Sequence, residues 1–289
     1  MRSKSLITSV KIPNFLFIGP DKSGSTWLYN LLKNHPQVYL PKTKELFYFD
    51  YFYEKGDKWY FEYFKDVKLN HKIISEISHD YLFSEDACNR IKNTLPDVKL
   101  MVCFREPVER AFSSYLYLLK QGRTSLPFSE AIRNIDELVD HGLYYKHFHK
   151  YYHKFDTEKI LWKLFDELKL SPEKLAIDIY DFLGIDKIPL STNMKKKILP
   201  AASPRNYFIS KTIHKTAWKI RELGYPQLLT VFKKNKFINL LLFQNFNDKN
   251  KPKIQQNDKD YLKNIFIQDL SKLSKLLNFN FIKYWGYDE

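Results

Sequence analysis

Five consecutive residues near the start of the chain are of the types that hold a phosphate: Lys22, Ser23, Gly24, Ser25 and Thr26. They follow an apolar run, Phe15-Leu16-Phe17-Ile18, short enough for a buried strand, which Gly19 and Pro20 break. After them Trp27, Leu28, Leu31 and Leu32 recur at helical spacing as far as His35-Pro36. Strand, small-residue loop and helix make an anion cradle, because loop N–H groups and the positive end of the helix dipole converge there. A Walker-type loop reads G-x-x-x-x-G-K-[ST]. Gly19 and Gly24 keep that spacing and Thr26 closes it, but Ser25 stands where the lysine belongs, and the lysine lies inside the loop as Lys22. A kinase or ATPase would lack its β/γ-phosphate lysine. One phosphate in the cradle with a reacting group beside it suits the loop better. Taken alone, the stretch is equally a Ser/Gly-rich turn without a ligand.

Two further strand ends carry polar residues. Lys72 to Ile77 reads as a buried strand ending at Ser78-His79-Asp80, and Lys99 to Phe104 as another ending at Arg105. In an open parallel sheet, ligands bind at the carboxyl ends of strands, so these residues should converge with the loop. Ser113 lies two turns into the helix that Pro107 begins. A guanidinium at a strand end and a hydroxyl on that helix can grip a second phosphate. Singly, Arg105 reads as a surface ion pair and Ser113 as a packing hydroxyl; beside a phosphate loop the two favour a site. His149 and His153 are four apart on one helical stretch, but no carboxylate or cysteine of suitable spacing accompanies them, so no metal is assigned.

The elements that must position these residues follow from periodicity. Val38 to Leu40 is extended, and Ser84 caps a helix to Thr94. Phe128 to Phe155 reads as helical, with Tyr144, Phe148, Tyr151, Tyr152 and Phe155 on one face. A fourth strand is expected within Lys159 to Phe165, then a helix from Pro172 to Leu183 closed by Gly184. Strands alternating with helices imply an α/β fold with a central parallel sheet flanked by helices. Residues 1–13 form a tail, 14–185 the α/β core and 186–289 a mostly helical part of the same domain, with helices near 208–222, 226–234 and 258–277. Lys195-Lys196-Lys197 and Ala201-Ala202-Ser203-Pro204 read as a linker or loop.

Composition narrows the partners. The chain has 289 residues and a net charge of +14, which favours an anionic partner or a lysine-rich solvated surface. Aromatic residues make up 17%, concentrated at 51–66, where they either pack a helix on the sheet or form an acceptor platform. Cys88 and Cys103 match neither a zinc spacing nor a disulfide framework, so a reducing compartment and a cytoplasmic location are expected. No run reaches the length of a membrane span.

Four motifs, in a shared order, resemble the sulfotransferase superfamily that uses 3′-phosphoadenosine-5′-phosphosulfate (PAPS), near bacterial members and the heparan sulfate branch. GPDKSGSTWLYNLL with His35-Pro36 resembles the 5′-phosphosulfate loop, and KTKELFYF the segment bearing a catalytic glutamate. SEISHDYL resembles the acceptor-side strand end, and VCFREPVERAFSSY the 3′-phosphate motif. The resemblance implies a P-loop-type sulfotransferase that moves a sulfuryl group to an acceptor hydroxyl, on a sugar or glycan, needs no metal and releases the bisphosphate PAP. It implies that Lys22 contacts the bridging oxygen, that Ser23, Gly24, Ser25, Thr26 and Trp27 hold the 5′-phosphate, and that Arg105 and Ser113 hold the 3′-phosphate. Glu45 would be the general base. His79 is its rival, standing where cytosolic sulfotransferases place a catalytic histidine. Ile77 departs from the heparan sulfate enzymes, which carry lysine there. Arg205, within Ser203-Pro204-Arg205-Asn206, is the candidate for the loop that closes over adenosine. The alternatives are a P-loop kinase, disfavoured by Ser25, and a nucleic-acid-binding module, disfavoured by scattered lysines without a recognised basic-aromatic motif.

Overall fold

The computed structural model describes residues 12–191, 194, 202–229, 242–245 and 252–288. In chain order the elements are β1 (Phe15–Gly19), α1 (Ser25–Lys33), β2 (Val38–Tyr39), α2 (Gly56–Glu62), β3 (Ile73–Ile77), α3 (Glu85–Thr94) and β4 (Lys99–Phe104). They continue with α4 (Pro107–Lys120), α5 (Phe128–Asn134), α6 (Asp136–Asp140), α7 (Tyr144–Lys154), β5 (Ile160–Leu164), α8 (Phe165–Leu170) and α9 (Pro172–Leu183). After these come β6 (Ala202–Pro204), α10 (Tyr207–Glu222), β7 (Phe243–Asn245), α11 (Gln256–Leu277) and α12 (Phe281–Tyr284). The residues fall into two compact units.

The first unit takes in residues up to 20, 24–103 and 150–196. Its five-stranded sheet has the order β2-β3-β1-β4-β5. β1 runs parallel to β3 and β4, with Phe15 opposite Ser75 on one side and Lys99 on the other, and β2 runs parallel to β3. β1 and β3 are buried at every position, which explains why both read as unbroken apolar runs. The chain moves to one side of the sheet after β1 and to the other after β4, so the strand order switches between them. This is where an open α/β sheet holds its ligand. Helix ends obey their capping signals: Ser84 Oγ accepts from the Ala87 amide, and Gly184 closes α9 at a φ of 71°. The turn after α1 is pinned by His35, whose Nε2 lies 2.8 Å from the Asp186 carbonyl.

The second unit comprises residues 21–23, 104–149 and 197 onward. Phe104 packs on Tyr144, Phe148 and Phe281, with ring centroids 5.1, 5.4 and 5.9 Å apart. Asp269 of α11 accepts the Tyr145 and Lys146 amides at 2.8 and 2.9 Å, capping α7 from a distant stretch of chain. Glu106 caps α4 by accepting from Val108 and Glu109, with Pro107 in the first turn as expected.

Three expectations are corrected. Phe128 to Phe155 is three helices. Extended Ile135 interrupts it, and so does Gly142, where a Cβ would lie 2.6 Å from the Phe266 ring. On α7, Tyr144, Phe148, Tyr151 and Phe155 are buried, but Tyr152 stands off that face, half-exposed. Ala202–Pro204, expected as loop, is a strand antiparallel to Phe243–Asn245. Both strands have three residues, too few for a period-two pattern to emerge. Lys195 to Ala201 and most of the helix expected at 226–234 lie outside the described residues.

Candidate active site

The loop after β1 begins under tight constraint. Gly19 has a φ of 137°, and a Cβ there would meet the His79 carbonyl at 2.3 Å, so only glycine lets the two strand ends approach. Gly24, at a φ of 91°, is the N-cap of α1 and supplies no side-chain acceptor. The first turn of α1 carries no acidic residue. Its positive end therefore stays available to an external anion. Ser25 and Trp27 are buried, and the Trp27 indole donates to the Met194 carbonyl at 3.1 Å. This places the Trp27 ring in packing and leaves its amide as the group able to face an anion.

Lys44 fills the gap that the loop sequence left. Its ammonium donates to Ser25 Oγ at 2.9 Å and Thr26 Oγ1 at 3.3 Å, and lies 3.4 Å from Glu45 Oε1. A cation thus stands beside the residue occupying the Walker lysine position, delivered from a different loop. Both side chains of the Lys44–Glu45 pair are 19% exposed, sheltered yet reachable.

The middle of the loop belongs to the second unit. Asp21 is locked by a buried cluster: Arg110 Nη1 donates to Oδ1 and Ser114 Oγ to Oδ2, each at 3.0 Å, with His141 Nδ1 at 3.5 Å. Arg110 is fully buried, and its second amino group reaches the Leu138 carbonyl. Lys22 adopts a φ of 62°, and its ammonium sits 4.3 Å from the Tyr117 ring centroid. Arg105 donates to the Lys22 carbonyl at 3.1 Å and pairs with Glu109 at 3.5 Å. Tyr144 donates to the Arg105 carbonyl at 2.6 Å. Ser23 is buried and Ser113 half-buried on α4, next to the Ser114 that holds Asp21. The sequence reading missed Asp21, Ser114 and Tyr117, and gave Arg110 no role although it stands in the motif VCFREPVERAFSSY. An acid in a loop and an arginine in a helix motif were the available signal.

Glu45 lies on a strained stretch. Its φ is 64° and that of Phe47 is 52°, rare for side chains of this size. Besides a bond from the Leu46 amide to the Glu76 carboxylate, three bonds tie the segment down. The Glu45 amide donates to the Ile77 carbonyl at 3.1 Å, the Phe47 amide to Ser78 Oγ at 3.2 Å and the Tyr48 amide to the Tyr81 hydroxyl at 2.9 Å. Behind these, Glu76 of β3 is 1% exposed. It accepts hydrogen bonds from Ser78, from Tyr60 at 2.9 Å and from Tyr81 at 3.0 Å. Burial pushes the Glu76 carboxyl up to about 7, and these hydroxyls hold it from rising further. Burial likewise pushes Asp50 up to about 8, with the charges of Asp80 and Glu76 adding to it. The His79 ring stacks on Phe47 at 5.6 Å, with Nδ1 3.6 Å from Asp80. The aromatic stretch 51–66 serves this support: Tyr60 stacks on Tyr48 at 4.3 Å and is fully buried.

Arg205 directly follows β6 in the β6–β7 pair, its Nε donating to the Phe243 carbonyl at 3.3 Å. Asn206, next to it, caps α10 by accepting the Ile209 amide at 3.1 Å. His149 and His153 rest on the Tyr145 and Tyr152 rings. Among the described residues no three His, Cys, Asp or Glu side chains converge as metal ligands, and no helix is long and apolar enough to cross a membrane.

In the first unit an ammonium, two hydroxyls and a helix N-terminus without acidic residues stand beside a carboxylate, and in the second a guanidinium and an ammonium share one loop; each is a donor set suited to an anionic ester. The comparisons agree with that chemistry. A membrane-associated sulfotransferase, kil1, of Dictyostelium discoideum is 36% identical over 111 residues, 38% of this chain and 24% of that protein. The mouse heparan sulfate glucosamine 3-O-sulfotransferase 3B1 is 31% identical over 190 residues, 62% of this chain and 48% of that one. The chain thus spans about half the length, or less, of these curated relatives. A crystal structure of a sulfotransferase from Alicyclobacillus acidocaldarius shares the fold, with a TM-score of 0.70 at 20% identity over 96% of this chain and 99% of the other. The sulfotransferase domain family matches residues 13–223. The chain belongs to the sulfotransferase domain family.

Proposed function

We propose that the chain transfers the sulfuryl group of PAPS to a hydroxyl of a carbohydrate acceptor. The observation that carries this is the Lys44 ammonium held on Ser25 and Thr26 at an acid-free helix N-terminus, beside a carboxylate. At the positive end of a helix the Lys44 charge is only partly offset by Glu45, 3.4 Å away, and a ligand phosphate would offset the charge of both the ammonium and the helix end. Ser23, Gly24, Ser25, Thr26 and the Trp27 amide would hold the 5′-phosphate, with Lys44 and Lys22 offsetting charge on the leaving phosphate. Arg105 and Ser113 would hold the 3′-phosphate, and Arg205 would reach the same group. Glu45 would take the acceptor proton as the oxygen forms its bond to sulfur. The bond from sulfur to the phosphate oxygen breaks, and PAP leaves with the electron pair. Positioning and charge stabilisation carry such a loose transfer. The carbohydrate acceptor rests on relatives whose names specify heparan sulfate. The reaction would take place in a reducing, cytoplasmic compartment.

The test has two parts. Adenosine 3′,5′-bisphosphate should raise the melting temperature while ATP with magnesium and duplex DNA do not. A shift with ATP and none with the bisphosphate would sink the reading. Labelled PAPS with desulfated heparan sulfate should give labelled glycan, and Glu45→Gln should lower turnover by about a hundredfold or more, to a small residual rate, while bisphosphate binding survives. Turnover that survives Glu45→Gln and disappears in His79→Ala makes His79 the base.

A further inference from the structure

We propose that Glu76 is a positioning residue that holds the Glu45 segment in its working conformation through the hydroxyls of Ser78 and Tyr81. The proposal rests on the base role given to Glu45 above. A buried carboxylate on a central strand is costly, and an apolar residue would pack there at no such cost. What a carboxylate does and an apolar or amide side chain does not is accept hydrogen bonds only. With Glu76 in place, Ser78 and Tyr81 must point their protons inward, toward Oε1 and Oε2. Their lone pairs are then free on the other side. There Ser78 Oγ accepts the Phe47 amide and the Tyr81 oxygen accepts the Tyr48 amide. Tyr60, the third donor, fixes the remaining face of the carboxylate, and Asp50 is a further acidic group whose charge is felt in the cluster.

The held segment needs that grip. Glu45 and Phe47 both lie at positive φ without being glycine, a conformation that persists only where the surroundings over-determine it. The Glu45 amide has its own tie to the Ile77 carbonyl, one residue beyond Glu76 on β3. These three anchors, at Glu45 and just after it at Phe47 and Tyr48, therefore gather at the end of β3 and the turn that follows it, and two of them are oriented by Glu76. A glutamine at 76 would place an amide donor against hydroxyls that must donate, and one of them would have to turn away from its backbone amide.

Glu76→Gln measured at pH 8 tests this in two ways. Amide hydrogen exchange at Phe47 and Tyr48 should quicken about tenfold or more relative to the rest of the sheet. Ser78→Ala, which removes one tie only, should quicken Phe47 and leave Tyr48 protected. Native exchange rates at both amides in folded Glu76→Gln would overturn the proposal. With labelled PAPS and desulfated heparan sulfate, Glu76→Gln should lower kcat about tenfold or more, with KM for PAPS within about twofold of the parent. Placed on Glu45→Gln, whose residual rate is followed over long incubation, the same substitution should cost less than about twofold. A full-sized further loss there would mean that Glu76 acts independently of Glu45, and would overturn the proposal. Wild-type protein that moves no label while the exchange pattern changes as stated would instead remove the proposed reaction and keep the tie.

Discussion

Lys44 near a helix N-terminus and Glu45 beside it are the residues to which the proposed chemistry is assigned. In that proposal Lys44 acts on the 5′ group of the ligand, so its effect should depend on that group. Lys44→Gln should weaken adenosine 3′,5′-bisphosphate binding about tenfold or more and leave adenosine 3′-monophosphate unchanged, as calorimetry can measure. Asp50 gives a pH signature. Its folded value near 8 lies far above the ordinary aspartate value, so the folded state keeps this proton up to about pH 8 while the unfolded chain gives it up near pH 4; the resulting stabilisation is fully present below about pH 4 and is lost as pH rises through about 8. Asp50→Asn should therefore flatten the fall in melting temperature between pH 5 and 8, and at pH 8 the variant should be the more stable by on the order of 1 kcal/mol. A steeper fall in the variant would contradict this sign. Lys44 was in view in the KTKE motif, yet its partners lie 19 and 18 residues back, and no local pattern reports such a contact. Glu76 read as one more residue of a buried strand for the same reason.

Elements were legible wherever a local signal settles them. The buried runs of β1, β3 and β4, the Ser84 cap, Pro107 and Gly184 all appear where sequence patterns put them. Where tertiary packing decides, the sequence misled. Phe128 to Phe155 has helical periodicity throughout, but the Phe266 ring occupies the space a Cβ at 142 would need. Gly142→Ala should accordingly destabilise the protein by roughly 1–3 kcal/mol in urea titration, although alanine is the better helix former. The β6–β7 pair went unseen because its strands are too short to carry a pattern and one is separated from the other by α10.

At the scale of the whole molecule, the second unit contains its own lock on the Lys22 loop. Arg110 is buried and joined to Asp21, Ser114 shares that carboxylate, and the three together set the course of the loop containing Lys22. Arg110→Ala should cost about 3–5 kcal/mol in chemical denaturation, because it strands a buried charge; a loss under about 1 kcal/mol would show the pair to be dispensable. The net charge of +14 adds a long-range pull on anionic ligands that should weaken as salt is raised. The order of synthesis matters as well. Phe104 packs against Phe281, and Glu106 bonds the Tyr287 hydroxyl. The end of β4 and the start of α4 thus wait for residues that leave the ribosome about 180 positions later. A chain released early would leave the Phe281 side of Phe104 uncovered and Glu106 without its Tyr287 donor before the chaperones and proteases of the cell, so even a short C-terminal truncation should lower abundance before it touches catalysis.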